Sequence, residues 1–227
     1  MHELQTAIGY YFQNPALLEQ ALTHTSYANE VWQDGLRSYE RLEFLGDSIL
    51  GFTAADYLLA TFPELHEGNL SKLRAELVCE TSLAKTAETL GLGRYLRLGK
   101  GEEACGGREK PSIIADVVES IIAAIYLDGG LAAAQKFIYG FVLVDTKQRI
   151  RMNADWKTKL QELVQREKNQ SLVYELVSES GPDHNKQFTV RVLRSGAEVG
   201  VGVGTSKKRA EQAAAREAAE RLYPDEI

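Results

Sequence analysis

The chain has 227 residues, 44% hydrophobic and 26% charged, which is the make-up of an ordinary globular protein with core enough for one large domain or two modest ones. Its two cysteines, Cys79 and Cys105, lie far apart without metal-ligand spacing, which argues against a disulfide framework and for a reduced, cytoplasmic setting. The formal charge of −6 is uneven: residues 154–227 hold 12 Lys and Arg against 12 Asp and Glu, so residues 1–153, with 14 and 20, carry the whole excess, and net charge alone excludes neither a nucleic-acid partner nor acidic cation-binding groups.

The opening MHELQTAIGY lacks the basic and apolar segments of a secretion signal, and no apolar run approaches the roughly 20 residues that span a bilayer, so no membrane partner is expected. From Ala7 to about Phe141 the pattern is helical nearly throughout, with apolar residues at threes and fours in 15–28, 39–62, 70–90, 112–127 and 131–144. Breaks fall at Asn14-Pro15, Phe62-Pro63, Gly91-Leu92-Gly93, Gly99–Gly107 and Asp128-Gly129-Gly130, and 98–112 reads as a glycine-rich connector. KQRIRMNAD, 147–155, is polar and aperiodic, which predicts a linker. Beyond it, 155–169 reads as an amphipathic helix. LVYELVSES, KQFTVRVLR and AEVGVGVG alternate apolar and polar residues, as strands do, with a tight turn at Arg194-Ser195-Gly196-Ala197. A last helix spans 205–222 with Thr205 or Ser206 as N-cap.

The chemistry concentrates in two apolar helices. In YERLEFLGDSIL, 39–50, Glu43 and Asp47 are four residues apart and share a face, with Glu40 flanking the same stripe. In SIIADVVESIIAAIYL, Asp116 and Glu119 are three apart, again on one face, in a helix apolar enough to be central to the core. A lone acid at helical spacing is ordinarily a solvated face or half of a salt bridge, which is the reading for Glu40 by itself. Two acid pairs inside apolar helices, with few basic residues near them beyond Arg41, would be intolerable without a counter-charge. A hard divalent cation with oxygen ligands, Mg²⁺ or Mn²⁺, is the simplest remedy and suits phosphoryl transfer.

YERLEFLGDSIL also resembles the signature stretch of ribonuclease III, the double-stranded-RNA endonuclease family. LTHTSY (22–27), FPELHEGNLSKLRAELV (62–78), GEEACGGR (101–108) and SIIADVVESIIAAIYLDGG (112–130) resemble that family's blocks in the same order, and KTKLQELVQ and GTSKKRAEQAAA resemble its double-stranded RNA-binding domain. The resemblance covers essentially the whole chain. It implies an all-α catalytic domain of the ribonuclease III endonuclease fold at 1–147, a linker at 148–154 and a small α+β (α-β-β-β-α) RNA-binding domain at 155–225. The family's metal ligands fall on Glu43, Asp47, Asp116 and Glu119, with Asp47 and Glu119 the most directly catalytic. Glu40 and Glu67 match a further acidic pair near the scissile strand. Phe44, which by its sequence setting is ordinary core, matches a residue that wedges into the partner subunit of a homodimer. Gly46 suits a close approach of helix or substrate, or plain packing.

The four histidines, His2, His24, His66 and His184, offer no acid–base pair in the catalytic part, and His24 reads as a structural hydrogen-bonder. Attack by metal-activated water is therefore favoured, leaving 5′-phosphate and 3′-hydroxyl ends, with short 3′ overhangs implied by the resemblance. The glycines of GKGEEACGG do not make a nucleotide-binding loop, so no nucleotide cofactor is expected. For the duplex, Lys207, Lys208 and Arg209 sit in the first turn of the last helix, where cations and free N–H groups favour phosphate. Thr158, Gln161, Glu162 and Gln165 form a polar stripe for a minor groove, and His184 offers a second probe. Glu211 departs from RNA-binding domains of this type, which often carry lysine there. Processing of ribosomal RNA precursors, some messages and tRNA precursors is the implied work. Rival readings are a binder that sequesters duplex RNA without cutting it, or a structural helical dimer; neither has a use for four costly carboxylates.

Overall fold

The computed structural model describes residues 1–144, 146, 156–167, 170–182 and 186–226. The chain divides into two compact units, Met1–Arg149 and Ile150–Ile227. The segment 148–154, expected as a linker, lies outside the described residues.

The first unit is helical: α1 (His2–Ile8), α2 (Pro15–Ala21), α3 (Thr25–Tyr27), α4 (Glu40–Thr61), α5 (Glu67–Leu77), α6 (Glu80–Leu90), α7 (Lys100–Ala104) and α8 (Pro111–Phe137). α8 is its axis. Pro111 opens it where a missing N–H costs nothing, and α2, α4 and α6 pack around it. A helix enclosed on several sides is apolar all round, and Ile113, Val117, Val118, Ile121, Ile122 and Ile125 are all buried. The same composition corrects one expectation. Pro111–Val142 is long and apolar enough to cross a bilayer by length and composition, though 50% of its apolar window is buried inside the protein, as in a core helix.

α8 bends at Gly130 (φ 79°, ψ 179°), a conformation that glycine adopts without a Cβ penalty, at the break expected there. Asp128, just before the bend, accepts hydrogen bonds from the Gln13 and Asn14 N–H groups and the Tyr10 hydroxyl, each at 2.8 Å, and so ties the start of α2 to the bend.

Other segments divide differently from the periodicity. Within 15–28, α2 stops at Ala21 because Thr23 enters a short parallel bridge with Arg97, and His24 then caps α3. The stretch 70–90 is two helices. Cys79 adopts an extended conformation (φ −71°, ψ 157°) and its carbonyl accepts the first N–H groups of α6, from Ser82 and Leu83. No glycine or proline marks that corner. The connector 98–112 is not irregular throughout, since α7 lies inside it.

The second unit follows the order helix, three strands, helix: α9 (Trp156–Gln165), β1 (Leu172–Ser180), β2 (Gln187–Arg194), β3 (Ala197–Gly204) and α10 (Lys207–Leu222). The strands form an antiparallel sheet in the order β1-β2-β3. Ser195 (φ 48°) and Gly196 (φ 88°) both take positive φ, as a tight hairpin turn between β2 and β3 requires. The core joins Trp156, Leu160 and Val164 of α9 and the alanines of α10 to Val190, Val192 and Val199 of the sheet. Alanines on α10 and glycines on β3 let backbone meet backbone: a Cβ at Gly202 would lie 2.1 Å from Ala214 N. Ser206 is the N-cap of α10, its Oγ accepting from Arg209 N at 3.3 Å.

Candidate functional site

α4 buries one stripe, Leu42, Gly46, Ile49, Leu50, Thr53, Ala54 and Leu58, at spacings of three and four, and packs against α8. The helices touch closely at Gly46, where an added Cβ would lie 1.9 Å from the Glu119 carbonyl oxygen. Lacking a side chain at that point, α4 lies directly on α8, and the acids flanking the contact share one space.

One ligand oxygen from each of Glu43, Asp116 and Glu119 lies within 4.8 Å of the others. All three are half-buried, whereas Asp47 and Glu40 are exposed. Glu40 is solvated, as a lone acid at helical spacing is expected to be, while the expectation that Asp47 lies inside the apolar helix is corrected: α4 buries only the stripe facing α8, and the acids line its edge. Asp47, one turn along from Glu43, lies outside the set of three but inside its field.

That field is legible in the titration of the group. The Glu119 carboxyl is pushed up to about 8, by burial first and then by Asp47, Asp116 and Glu43. Glu43 is held above the usual carboxylate range by burial, then by Asp116, Glu40 and Asp47. Asp116 is raised by burial, and the Tyr39 hydrogen bond works the other way. No salt bridge joins a lysine or arginine to any of the four among the described residues. Acids crowded in a half-buried hollow without a protein counter-charge fit a hard divalent cation with oxygen ligands.

Tyr39 opens the signature stretch, and the sequence alone assigns it no role. Its hydroxyl donates to Asp116 Oδ2 at 3.2 Å. The two are 77 residues apart in sequence, so spacing gave no signal of the contact. Burial, then Asp116, Glu43 and Glu40, raise its pKa and keep it a donor. His24 stands edge-on to Tyr39 with ring centroids 5.7 Å apart. Its Nδ1 accepts from Ser26 N at 3.1 Å and lies 2.7 Å from Ser26 Oγ, a structural hydrogen-bonder as expected.

Glu67 is exposed at the first position of α5, and its Oε1 accepts from Ser71 Oγ at 2.7 Å. The structure does not bring it to the cluster. Phe44 is not core: it is 78% exposed, with Phe52 at 56% and Leu59 at 66% on the same outward side of α4. Three large apolar residues at spacings of eight and seven form a stripe that the unit itself leaves uncovered.

In the second unit, Thr158, Gln161, Glu162 and Gln165 are all exposed, opposite the buried Trp156, Leu160, Leu163 and Val164 of α9. Lys207, Lys208 and Arg209 are exposed in the first turn of α10, and Arg209 Nη1 donates to Thr205 Oγ1 at 3.0 Å. Glu211 is not a bare negative charge, since Lys157 Nζ lies 2.8 Å from its Oε2. His184 lies outside the described residues.

Comparison with known proteins bears on both units. The description "Ribonuclease-III-like" matches residues 14–146, and "Double-stranded RNA binding motif" matches 156–222. The chain is 45% identical over 222 residues to Ribonuclease 3 of Listeria innocua, covering 97% of this chain and 96% of that one. It is 48% identical over 221 residues to Ribonuclease 3 of Geobacillus thermodenitrificans, covering 97% and 90%. Among solved structures, the nuclease domain of ribonuclease III from Campylobacter jejuni, described for structural flexibility in a region involved in dimer formation, superposes with a TM-score of 0.58. It is 41% identical and covers 62% of this chain and 94% of that one.

Proposed function

The chain belongs to the ribonuclease III family, a double-stranded-RNA endonuclease fold joined to a double-stranded RNA-binding domain, and on that premise we propose that it hydrolyses duplex RNA at the cluster of Glu43, Asp47, Asp116 and Glu119. The convergence of Glu43, Asp116 and Glu119 oxygens within 4.8 Å, without a lysine or arginine partner among the described residues, carries the reading. Mg²⁺ is the proposed ion, with Mn²⁺ as a substitute. Bound there, a divalent cation supplies a polarised water and positive charge against the anionic transition state.

The chain's own residues do the rest. Glu43, Asp116 and Glu119 furnish the anionic oxygens, and Asp47 adds negative field from the open edge, where the scissile phosphate would approach. Water oxygen joins phosphorus as the bond to O3′ breaks, which leaves 5′-phosphate and 3′-hydroxyl ends. Glu40 and Glu67 are proposed to lie near the scissile strand, Glu67 in relation to a partner subunit's site. The proposed division is a catalytic and dimerisation domain at 1–147, a linker at 148–154 and an RNA-binding domain at 155–225.

Cutting both strands calls for two copies of the site, which a two-fold symmetric homodimer supplies. The exposed stripe of Phe44, Phe52 and Leu59 supports that assembly, as does the dimer-forming region named for the Campylobacter jejuni nuclease domain. Staggered cuts would leave short 3′ overhangs. On duplex RNA, Lys207, Lys208 and Arg209 would meet phosphates, while Thr158, Gln161, Glu162, Gln165 and His184 would reach the shallow minor groove. Processing of ribosomal RNA precursors, messages and tRNA precursors in the cytoplasm goes with this reading, as do the unpaired thiols of Cys79 and Cys105.

The test is a gel of end-labelled duplex RNA incubated with wild type and Glu119→Gln, with Mg²⁺ or EDTA, beside a filter-binding assay. The variant is expected to lose cleavage and to bind duplex as the wild type does; undiminished cutting would overturn the assignment.

A further inference from the structure

We infer that Tyr39 is a positioning residue for the cation site, its hydroxyl fixing the Asp116 carboxylate so that it faces Glu43 and Glu119. The inference rests on the reading of that cluster as a cation site.

Tyr39 is well placed to hold another side chain still. It is 3% exposed and is anchored at three points. Its N–H donates to the Thr23 carbonyl at 2.8 Å, in the segment that bridges to Arg97. Its carbonyl accepts from Glu43 N at 2.9 Å, the backbone of one cluster residue. The same carbonyl accepts from Ser120 Oγ at 3.4 Å, and Ser120 Oγ also donates to the Asp116 carbonyl at 2.9 Å. The ring is fixed by the edge of His24, itself held by Ser26.

From this frame the hydroxyl reaches across to α8 and donates to Asp116 Oδ2 at 3.2 Å. It is the one side-chain hydrogen bond to Asp116 among the described residues. A short aspartate on a helix has two free torsions, so without that donor the carboxylate can swing away from its neighbours. With one oxygen engaged, its plane is set and the other oxygen stays available. Hydrogen-bonded partners of ligating carboxylates work in this way, and losing one ordinarily weakens metal affinity about 10-fold or more.

Plain core packing is the competing account, and Tyr39→Phe separates the two because it keeps the ring and removes only the donor. Mn²⁺ binding is measured by isothermal titration calorimetry on the full-length, metal-stripped protein without RNA, for wild type, Tyr39→Phe and Glu119→Gln. Tyr39→Phe is expected to weaken the Mn²⁺ Kd about 10-fold, with an unchanged thermal melt in EDTA. Its cleavage is expected to need about 10-fold more Mg²⁺ for half-maximal rate and to recover most of kcat at saturation, with KM for duplex RNA unmoved. A Kd within twofold of wild type, alongside a loss in Glu119→Gln, would overturn this inference alone. Failure of the wild type to bind Mn²⁺ would overturn both it and the cation site.

Discussion

Glu119 sets the pH behaviour of the site. Its carboxyl ordinarily titrates at 4.5 and here at about 8, so the ion-free folded chain keeps at neutral pH a proton that the unfolded chain gives up. Stability from that proton is fully present below about 4.5 and is lost as the pH rises through about 8. Thermal melts of metal-stripped protein across that window are expected to fall with rising pH, and Glu119→Gln is expected to flatten the decline. Saturating Mg²⁺, if held at the proposed site, is expected to invert the trend by favouring the ionised form, with proton release on binding. Identical slopes for variant and wild type would count against the cluster's coupling. Glu43, Asp116 and Glu119 were readable in the sequence because spacing on a helix fixes which acids share a face. Tyr39 was not, because its contact joins residues 77 positions apart and only tertiary packing creates it. Asp47 is expected from the resemblance as a metal ligand and, with Glu119, as one of the two most directly catalytic acids; one helical turn on from Glu43, it lies outside the set of three.

At the level of elements, the contact between α4 and α8 governs whether a site exists. Gly46→Ala would drive a methyl to 1.9 Å from the Glu119 carbonyl oxygen, and backbone cannot yield as a flexible side chain does. The expected cost is about 1–3 kcal/mol or more in chemical denaturation, with loss of Mn²⁺ binding as the acids separate. In the RNA-binding unit the glycines of β3 and the alanines of α10 play the matching part, which fixes where the first turn of α10 presents its cations. Lys207→Ala and Lys208→Ala are each expected to weaken duplex binding at all sequences and to lower the slope of log affinity against log salt by roughly 1, read by filter binding. Strand alternation and the Ser195-Gly196 turn were legible because period and positive φ leave marks in sequence. The corner at Cys79 was not, since the apolar repeat runs through it with no breaker residue.

At the scale of the whole molecule, apolar character and burial part company on α4. Phe44, ordinary core by its sequence setting, is 78% exposed. A sequence shows that a residue is apolar but not whether its own chain or a second copy covers it. Phe44→Glu is expected to shift sedimentation from dimer to monomer and to lower cleavage while the circular dichroism of the helices stays unchanged; a persistent dimer would separate this stripe from assembly.

On the proposed reading, three half-buried carboxylates, from two helices in contact at a glycine, would hold the divalent cation with which the chain cuts duplex RNA. The most direct measurement is anomalous diffraction from crystals of the full chain grown with Mn²⁺. A manganese peak is expected within bonding distance of Glu43, Asp116 and Glu119. Manganese elsewhere, with these three carboxylates turned apart, would contradict it.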